Sequence, residues 1–260
     1  MDLYKFDSII ESNFKFEFID ATYVLTLKDS PRISTVTTQL HKTPLSKLTY
    51  IVENPGYKKI DKPLPRQDTE ADIAYSHYII CKHAIENSYN TILVLEDDFV
   101  LEEELEHPSV ARDIKHFLSQ KVDTYFLGCT PFVSIPASFN LKHWYVPYGG
   151  TAHAMIHQSS GIQKLVEFYE KNALTIKGID LVIFKINRCY MYYDPLITQT
   201  FPKTENSQLW ADSLTQYIIN LTDLANKTRP GYDYIYIVSK IGYLLILFIV
   251  IQIFLWIRKI

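Results

Sequence analysis

The sequence predicts an α/β sandwich with a largely parallel sheet, followed by a C-terminal transmembrane helix. Two observations indicate this architecture. Short aliphatic and β-branched runs alternate with stretches of helical periodicity, and residues 241–257 carry no charge. A length of 260 residues allows one large domain with appendages, and 47% hydrophobic with 21% charged residues is ordinary for a folded chain.

Charge and cysteine usage exclude several classes of protein. A net charge of -3 provides no basic surface for nucleic acid. The three cysteines, Cys81, Cys129 and Cys189, lie far apart, which fits a reducing compartment and disfavours a disulfide framework or a structural zinc site. The N-terminal residues lack the apolar segment of a signal peptide.

The elements are predicted from local pattern, in chain order. A strand ends the segment 16–27, and a second strand covers 48–56, where Pro55 and Gly56 stop it. Apolar residues at helical spacing predict a helix over 70–87. The remaining elements are a strand at 91–95, a polar helix within 102–120, strands at 124–128 and 151–157, a helix from Ser159 or Ser160 to about Tyr169, a helical stretch after Gly178 and a late strand and turn over 189–201, while residues 130–150 are expected to be irregular.

The uncharged run Ile241–Ile257 predicts a membrane anchor. Seventeen helical residues reach roughly 25 Å, the short end of a membrane span. Lys240 precedes the run, and Tyr243 lies near its start, where interfacial aromatics are expected. Trp256, Arg258 and Lys259 provide the same kinds of residue at the end of the run. The alternative interpretation of the run is a buried core helix.

These patterns predict three regions: a folded domain over 1–201, a polar linker over 202–233 and an anchor over 234–260. A chain with a C-terminal anchor and no signal peptide is expected to be a single-pass membrane protein whose folded domain faces the cytosol.

Three consecutive carboxylates, Glu96, Asp97 and Asp98, follow the predicted strand Thr91–Leu95. Adjacent like charges repel and gain nothing from a dry core. In α/β sheets, ligands bind at the carboxyl ends of strands. Mg²⁺ and Mn²⁺ prefer carboxylate oxygens and often share their coordination with substrate phosphates. The triplet therefore indicates a metal site, with a solvated acidic turn as the alternative.

Further segments occur in a characteristic order around the triplet. They are LTLKDSPR (25–32), EADIAYSHYIICKHAIENSYNTILVLEDDFVL (70–101), YFLG (125–128), GGTAHAMIHQSSGIQKLVEF (149–168), GIDLVI (178–183) and PLITQ (195–199). This order resembles glycosyltransferase family 25, the lipooligosaccharide and procollagen β-galactosyltransferase type, over about residues 20–200. The most specific part is a Ser-His helix, then a hydrophobic strand, then LEDD.

The resemblance implies a GT-A fold, a nucleotide-sugar donor of the UDP-hexose type, a divalent Mn²⁺ or Mg²⁺ ion and inversion at the anomeric carbon. Asp98 is then the first metal ligand and Glu96 the next, while Asp97 ligates the metal or contacts the ribose. The donor-binding residues implied are Thr26, Arg32, Ser76, His77 and Glu96.

An inverting transfer needs a base for the acceptor hydroxyl. Asp180 follows Gly178 at a predicted helix start, where the family carries an Asp, and Asp97 is the next candidate. The alternative for Asp180 is a helix cap, and a helix N-terminus would lower its pKa. His153 could complete the metal coordination or contact the acceptor. For both His77 and His153 the alternative is a packed structural histidine.

These observations favour a membrane-tethered inverting glycosyltransferase that moves a hexose, of the galactose or glucose type, to a hydroxyl of a glycan, a lipid-linked acceptor or a protein. Two alternatives stay open. The family's first motif has an Asn-Leu pair followed by an acidic residue and arginines; here Thr26 and Lys28 take its polar positions and Arg32 is the last match, which would suit a degenerate member that binds without catalysis. An unrelated Mg²⁺-dependent α/β phosphotransferase would explain the carboxylates alone.

Overall fold

A seven-stranded mixed sheet with helices on both faces forms the body of the protein. The computed structural model describes residues 3–201, 214–224 and 228–257. The α/β class expected from the sequence is confirmed, and a long apolar helix ends the described chain. Among the described residues the strands are β1 (Lys5–Ile10), β2 (Ala21–Leu27), β3 (Leu48–Asn54), β4 (Thr91–Glu96), β5 (Phe99–Leu101), β6 (Thr124–Pro136), β7 (His143–Gln158), β8 (Cys189–Tyr192) and β9 (Ile197–Gln199).

Parallel pairing is confined to part of the sheet, whose strand order is β1-β3-β2-β4-β7-β6-β8. β2 pairs in parallel with β3 and β4, and β6 with β8, whereas β1–β3, β4–β7 and β6–β7 are antiparallel. The expected largely parallel sheet is therefore a mixed one. β2 and β4 end at the same edge, where Leu95 pairs with Ala154 of the antiparallel β7.

The helices cover both faces of the sheet and begin where the local chemistry allows. The longest helix over the sheet starts after Asp68, whose carboxylate accepts the backbone N–H of Ala71 at 2.8 Å as an N-cap. The described helices are α1 (Ile33–Lys42), α2 (Thr69–Glu86), α3 (Pro108–Leu118), α4 (Ser159–Asn172), α5 (Ile179–Ile186), α6 (Leu214–Leu221) and α7 (Thr228–Ile257).

β4 is buried on both faces, which explains its uninterrupted apolar sequence. Ile92 and Val94 belong to the core on the side of α2, α4 and α5. Leu93 and Leu95 alternate with them and face the core on the side of α1 and α3. The acidic triplet therefore begins at the end of a strand whose side chains pack into the hydrophobic cores on both faces of the sheet.

Residues 130–150 are not irregular, as the sequence indicated, but belong to the long hairpin of β6 and β7. The prolines of this segment suggested a break because proline cannot donate to a strand ladder. The hairpin accommodates Pro131 opposite Gly149 and Pro136 opposite Trp144, and its register shifts at four places between Phe126 and Ile135. Bulges of this kind bend a strand without ending it.

α7 has two parts with different surroundings. In the docked half, residues 228–240, the side chains of Tyr232, Ile235, Tyr236 and Ser239 are buried against the domain. The Ser239 hydroxyl lies 2.9 Å from that of Ser134 on β6. α6 and the start of α7 thus fall within the predicted linker 202–233, of which residues 202–213 and 225–227 lie outside the described residues.

Arg229 fixes the start of the docked half by contacts with several segments of the domain. Its Nη1 donates to the Pro195 carbonyl at 2.5 Å, and its Nη2 lies 3.0 Å from Glu104. Its Nε pairs with Asp233, one turn further along α7, at 2.9 Å. The guanidinium thereby joins the helix to the loop before β9, so the orientation of α7 is set by the domain.

The apolar half, residues 241–257, projects from the domain. Leu244–Ile251 are eight consecutive large hydrophobic residues, each 41–60% exposed. Eight residues make more than two turns of helix, so the helix is exposed on all of its faces here. The run Thr228–Ile253 is long and apolar enough to cross a membrane by length and composition. The apolar half is thus not a core helix, and its insertion into a membrane stays a prediction. Arg258, Lys259 and the Trp256 side chain lie outside the described residues.

The buried side chains of the docked half predict where the chain can be shortened. A chain ending at Lys240 should stay soluble and unfold cooperatively. A chain ending at residue 230 loses Tyr232, Ile235 and Tyr236, each worth about 1.5–3 kcal/mol of burial. Thermal unfolding of the two truncated proteins checks this. Equal unfolding temperatures would show that the docked half contributes nothing to the domain.

Candidate functional site

Asp97 is the fixed point of the site. Its carboxylate accepts the hydroxyl protons of Thr26 and Ser30 at 2.7 and 2.8 Å. Arg32 donates to it from Nε at 3.0 Å and from Nη2 at 2.6 Å. Thr26 ends β2 and the triplet ends β4, so these four hydrogen bonds join the carboxyl ends of two adjacent parallel strands. The side chain is only 8% exposed, which makes Asp97 an internal anchor.

The other two carboxylates of the triplet, Glu96 and Asp98, are only partly buried, and Glu96 lies close enough to Asp98 and Asp180 to interact with their charges. Burial raises the pKa of Glu96 well above its usual range, and the charges of Asp98, Asp180 and Asp97 raise it further. Burial and then the Asp97 charge raise the pKa of Asp98 to about 7, against the opposing effect of Arg32. Three carboxylates from the ends of β4 and the start of α5 therefore share one site.

Asp180 lies in the first turn of α5, where the N-cap position belongs to Gly178. Its two carboxylate oxygens accept the backbone N–H groups of Leu181 at 2.9 Å and Thr151 at 3.2 Å. These N–H groups lower the pKa of Asp180, as expected at a helix start, but burial outweighs them and the pKa is raised. Gly178 has φ +102°, and a Cβ there would lie 2.9 Å from the Asp180 carboxylate, so this approach requires glycine.

On the opposite side of Asp98 lie three residues from separate elements, His153 on β7, Gln199 on β9 and Tyr232 on α7. The Gln199 amide donates to Asp98 at 3.4 Å, and the His153 Nε2 lies 3.0 Å from the Ile197 carbonyl. The edge of the Tyr232 ring packs on His153, with 5.6 Å between centroids. We call these three residues with Asp98 the polar cluster.

Close packing around the polar cluster depends on Gly128 of β6. A Cβ at that position would lie 1.7 Å from the Ile197 carbonyl oxygen and 2.4 Å from the His153 Nε2. Burial lowers the pKa of His153 to about 4, so its ring is neutral at pH 7. The sequence had singled out His153 but gave no signal for Tyr232, and Gln199 stood only as the last letter of PLITQ.

Ser76 and His77 lie in the interior rather than among the carboxylates. The Ser76 hydroxyl contacts the Tyr4 hydroxyl at 2.9 Å, accepts from the Asn54 amide at 3.0 Å and donates to the Asp72 carbonyl at 2.8 Å. His77 lines a small apolar cavity between α2, α4 and α5, and burial lowers its pKa to about 4. The cavity is lined by Ala74, His77, Tyr78, Leu165, Phe168, Tyr169, Ile176, Ile179 and Val182.

Of the predicted site residues, the structure brings together Thr26, Arg32, the acidic triplet and Asp180, and it leaves Ser76 and His77 apart. Ser30, Thr151, Gln199 and Tyr232 join the site without having been predicted. All four act across the fold, on partners that are not their sequence neighbours.

A second cavity, on the surface near Asp113 and Phe139, lies away from the site.

The described residues contain no group of three or more His, Cys, Asp or Glu side chains arranged as a ready-made metal site. The donors that are present nevertheless suit a hard divalent cation. Asp98 and Glu96 offer carboxylate oxygens, and the Oδ1 of Asp98 is buried without a hydrogen-bond partner. Mg²⁺-type ions are often held by one or two carboxylates, with substrate phosphates completing the coordination.

The sequence matches no protein-family model and no curated protein. Among solved structures, A197 from STIV resembles it with a TM-score of 0.43 and 14% identity, covering 70% of this chain and 85% of that one.

Two glycosyltransferase structures are also similar. One is involved in glycosylation of the major capsid of PBCV-1, with TM-score 0.39, 11% identity and coverage of 72% and 96% of the two chains. The other is apo GlyE of Streptococcus pneumoniae TIGR4, with TM-score 0.34, 16% identity and coverage of 68% and 45%. Because all three TM-scores are below 0.5, we draw no functional conclusion from these structures.

Because the pKa of Asp98 is raised, replacing its carboxyl with a group that cannot ionise should stabilise the folded protein by an amount that depends on pH. The folded protein holds the Asp98 proton up to about pH 7, the unfolded chain only to about 4, so the wild type gains stability as pH falls through this window. Asp98→Asn cannot ionise. Without divalent ions it should unfold at a higher temperature than the wild type at pH 8, and this advantage should shrink toward pH 4. Thermal unfolding across that range is the measurement, and a pH-independent difference would contradict it.

Proposed function

We propose that this protein is a membrane-tethered glycosyltransferase that moves a hexose from a nucleotide sugar to an acceptor hydroxyl with inversion. The observation that carries the proposal is the convergence of Glu96, Asp98 and Asp180 at the carboxyl edge of β2 and β4. Partly exposed carboxylates that place two like charges near Glu96 are suited to a ligand that brings positive charge. The order of motifs resembling glycosyltransferase family 25 supports the same function.

In this proposal Asp98 and Glu96 hold Mn²⁺ or Mg²⁺. When bound there, the ion would neutralise the charge that develops on the leaving nucleotide diphosphate. Arg32 keeps two of its nitrogens on Asp97 while its side chain is 31% exposed, so the guanidinium can also face a phosphate. Thr26 contributes through Asp97, whose fixed position sets the direction of both neighbouring carboxylates.

Asp180 is the proposed base. It takes the proton of the acceptor hydroxyl while the new bond forms at the anomeric carbon and the bond to the diphosphate oxygen breaks. A carboxylate with a raised pKa is better matched to this task than an ordinary one. Asp97 is less suited, because proton uptake there would break hydrogen bonds from Thr26, Ser30 and Arg32.

Metal-dependent donor binding tests the first part of the proposal. A panel of nucleotide sugars with Mn²⁺ or Mg²⁺ should raise the unfolding temperature of the wild type, because a ligand that binds only the folded state stabilises it. Asp98→Asn should lose most of this rise. The control is Asp7→Asn, which removes an exposed carboxylate on β1. An unchanged metal-dependent rise in Asp98→Asn would leave the triplet as an acidic turn.

Turnover tests the base. Asp180→Asn is nearly isosteric but keeps only one of the two oxygens that accept the Leu181 and Thr151 N–H groups, so the unfolding temperature should fall modestly while donor binding changes little. The rate should fall by roughly 10²–10⁴, the usual contribution of a positioned base. Steady-state rates with the donor found above provide the measurement. Wild-type turnover in Asp180→Asn would assign the base elsewhere, and donor binding without any wild-type turnover would favour a non-catalytic binding protein.

A further inference from the structure

We propose that the docked half of α7 belongs to the substrate site, and that Tyr232, Gln199 and His153 form a subsite for the hydroxyl groups of the donor sugar. The inference deepens the proposed function and rests on it. It assigns to the helix that carries the apolar half a second role, in sugar recognition.

The first support is a concentration of unpartnered polar atoms. Within the described chain, the Asp98 Oδ1, His153 Nδ1, Gln199 Oε1 and Tyr232 hydroxyl are buried and meet no hydrogen-bond geometry. His153 and Tyr232 are fully buried and Gln199 is 5% exposed. The Tyr232 hydroxyl faces Thr151 and the Gln199 amide faces the His153 ring without reaching hydrogen-bond geometry, so a bound polar ligand would supply the partners that these buried atoms lack.

The second support is that these atoms belong to one contiguous cluster. Gln199 contacts Asp98, the His153 ring contacts Tyr232, and the Gln199 amide lies beside the His153 ring. The Tyr232 phenol is close enough to Glu96 and Asp98 to interact with their charges. Phe201 stacks on the Tyr232 ring with 6.4 Å between centroids and restricts its position. The orientation of these groups is therefore set before a ligand arrives.

The third support is the chemistry of the cluster. The carboxylate and amide oxygens accept hydrogen bonds, the Tyr232 hydroxyl can donate or accept, and the neutral His153 ring can do either according to its tautomer. Such a set fits hydroxyl groups, which donate and accept at the same atom. Because Gln199 contacts Asp98, the proposed ligand of the metal–diphosphate unit, the part of the donor next to it would be the sugar.

The test compares nucleoside diphosphates with their sugar conjugates. Affinities of the full chain in detergent are measured with Mn²⁺ for UDP, UDP-galactose and UDP-glucose, and for GDP and ADP with their hexose conjugates. The sugar should increase wild-type affinity in one of these series. Tyr232→Phe should reduce that increase about 3- to 10-fold, the effect of one hydrogen bond, with the affinity for the free diphosphate unchanged, and Gln199→Met, which also removes the donor to Asp98, should reduce it by a similar factor.

Tyr236→Phe is the matched control. Tyr236 lies one turn further along α7, is equally buried and has an unpartnered hydroxyl, but it packs beside Cys129. Its sugar-dependent affinity should match the wild type. Because neither hydroxyl reaches full hydrogen-bond geometry with its neighbour, Thr151 or Cys129, both variants should unfold close to the wild-type temperature. A purely structural role for Tyr232 predicts equal behaviour of the two variants in every measurement.

The outcomes separate the two levels of the proposal. If no diphosphate binds the wild type, the proposed function fails and the subsite with it. If diphosphates bind but the sugar adds no affinity, or both α7 variants keep or lose the increase alike, only the subsite is overturned. Loss of metal dependence in Gln199→Met, with the sugar increase retained, would also overturn it by making Gln199 a metal ligand.

Discussion

The buried Asp97 carboxylate, with its hydrogen bonds from Thr26, Ser30 and Arg32, is the constraint on which the site depends. It links the loop after β2 to the turn after β4, and it directs one of three consecutive carboxylates inward. Removal of Arg32 would leave the charge of the buried Asp97 carboxylate without its counter-ion, so this ion pair stabilises the position of the turn. Glu96 and Asp98, on either side of it, are consequently directed together to the outside of the sheet edge.

Acidic residues that look alike in the sequence have different roles in the structure. Asp97 stabilises the fold, whereas the other carboxylates of the site are placed for chemistry. Asp97 has its charge balanced by Arg32. Burial raises the pKa of Glu96, Asp98 and Asp180, and the charges of Asp98 and Asp180 raise that of Glu96 further, so these groups keep protons to higher pH. Unfavourable interactions among buried carboxylates persist only where contacts elsewhere in the fold hold the residues in place. Such interactions are concentrated at functional sites.

The sequence was informative where structure is local. The pattern of β4, the triplet after it and the glycine before α5 were visible because each depends on adjacent residues. The sequence could not show which carboxylate turns inward, since that depends on Arg32, 65 residues away. Tyr232 and Gln199 were missed because the polar cluster joins three distant elements. The β6–β7 hairpin was missed because its prolines fit through register shifts that no local pattern displays.

The continuity of α7 has a mechanical consequence. Ile241, where the apolar half begins, is nine helical steps beyond Tyr232, which lies beside the carboxylates, and at helical rise these steps span roughly 14 Å. The helix is unbroken and Arg229 holds its start to the domain, so the joint cannot swivel as a flexible tether would. Any bilayer that holds the apolar half therefore sets the height and tilt of the carboxylates above its surface. Acceptors would then be sorted by how far they stand from that surface as well as by their chemistry.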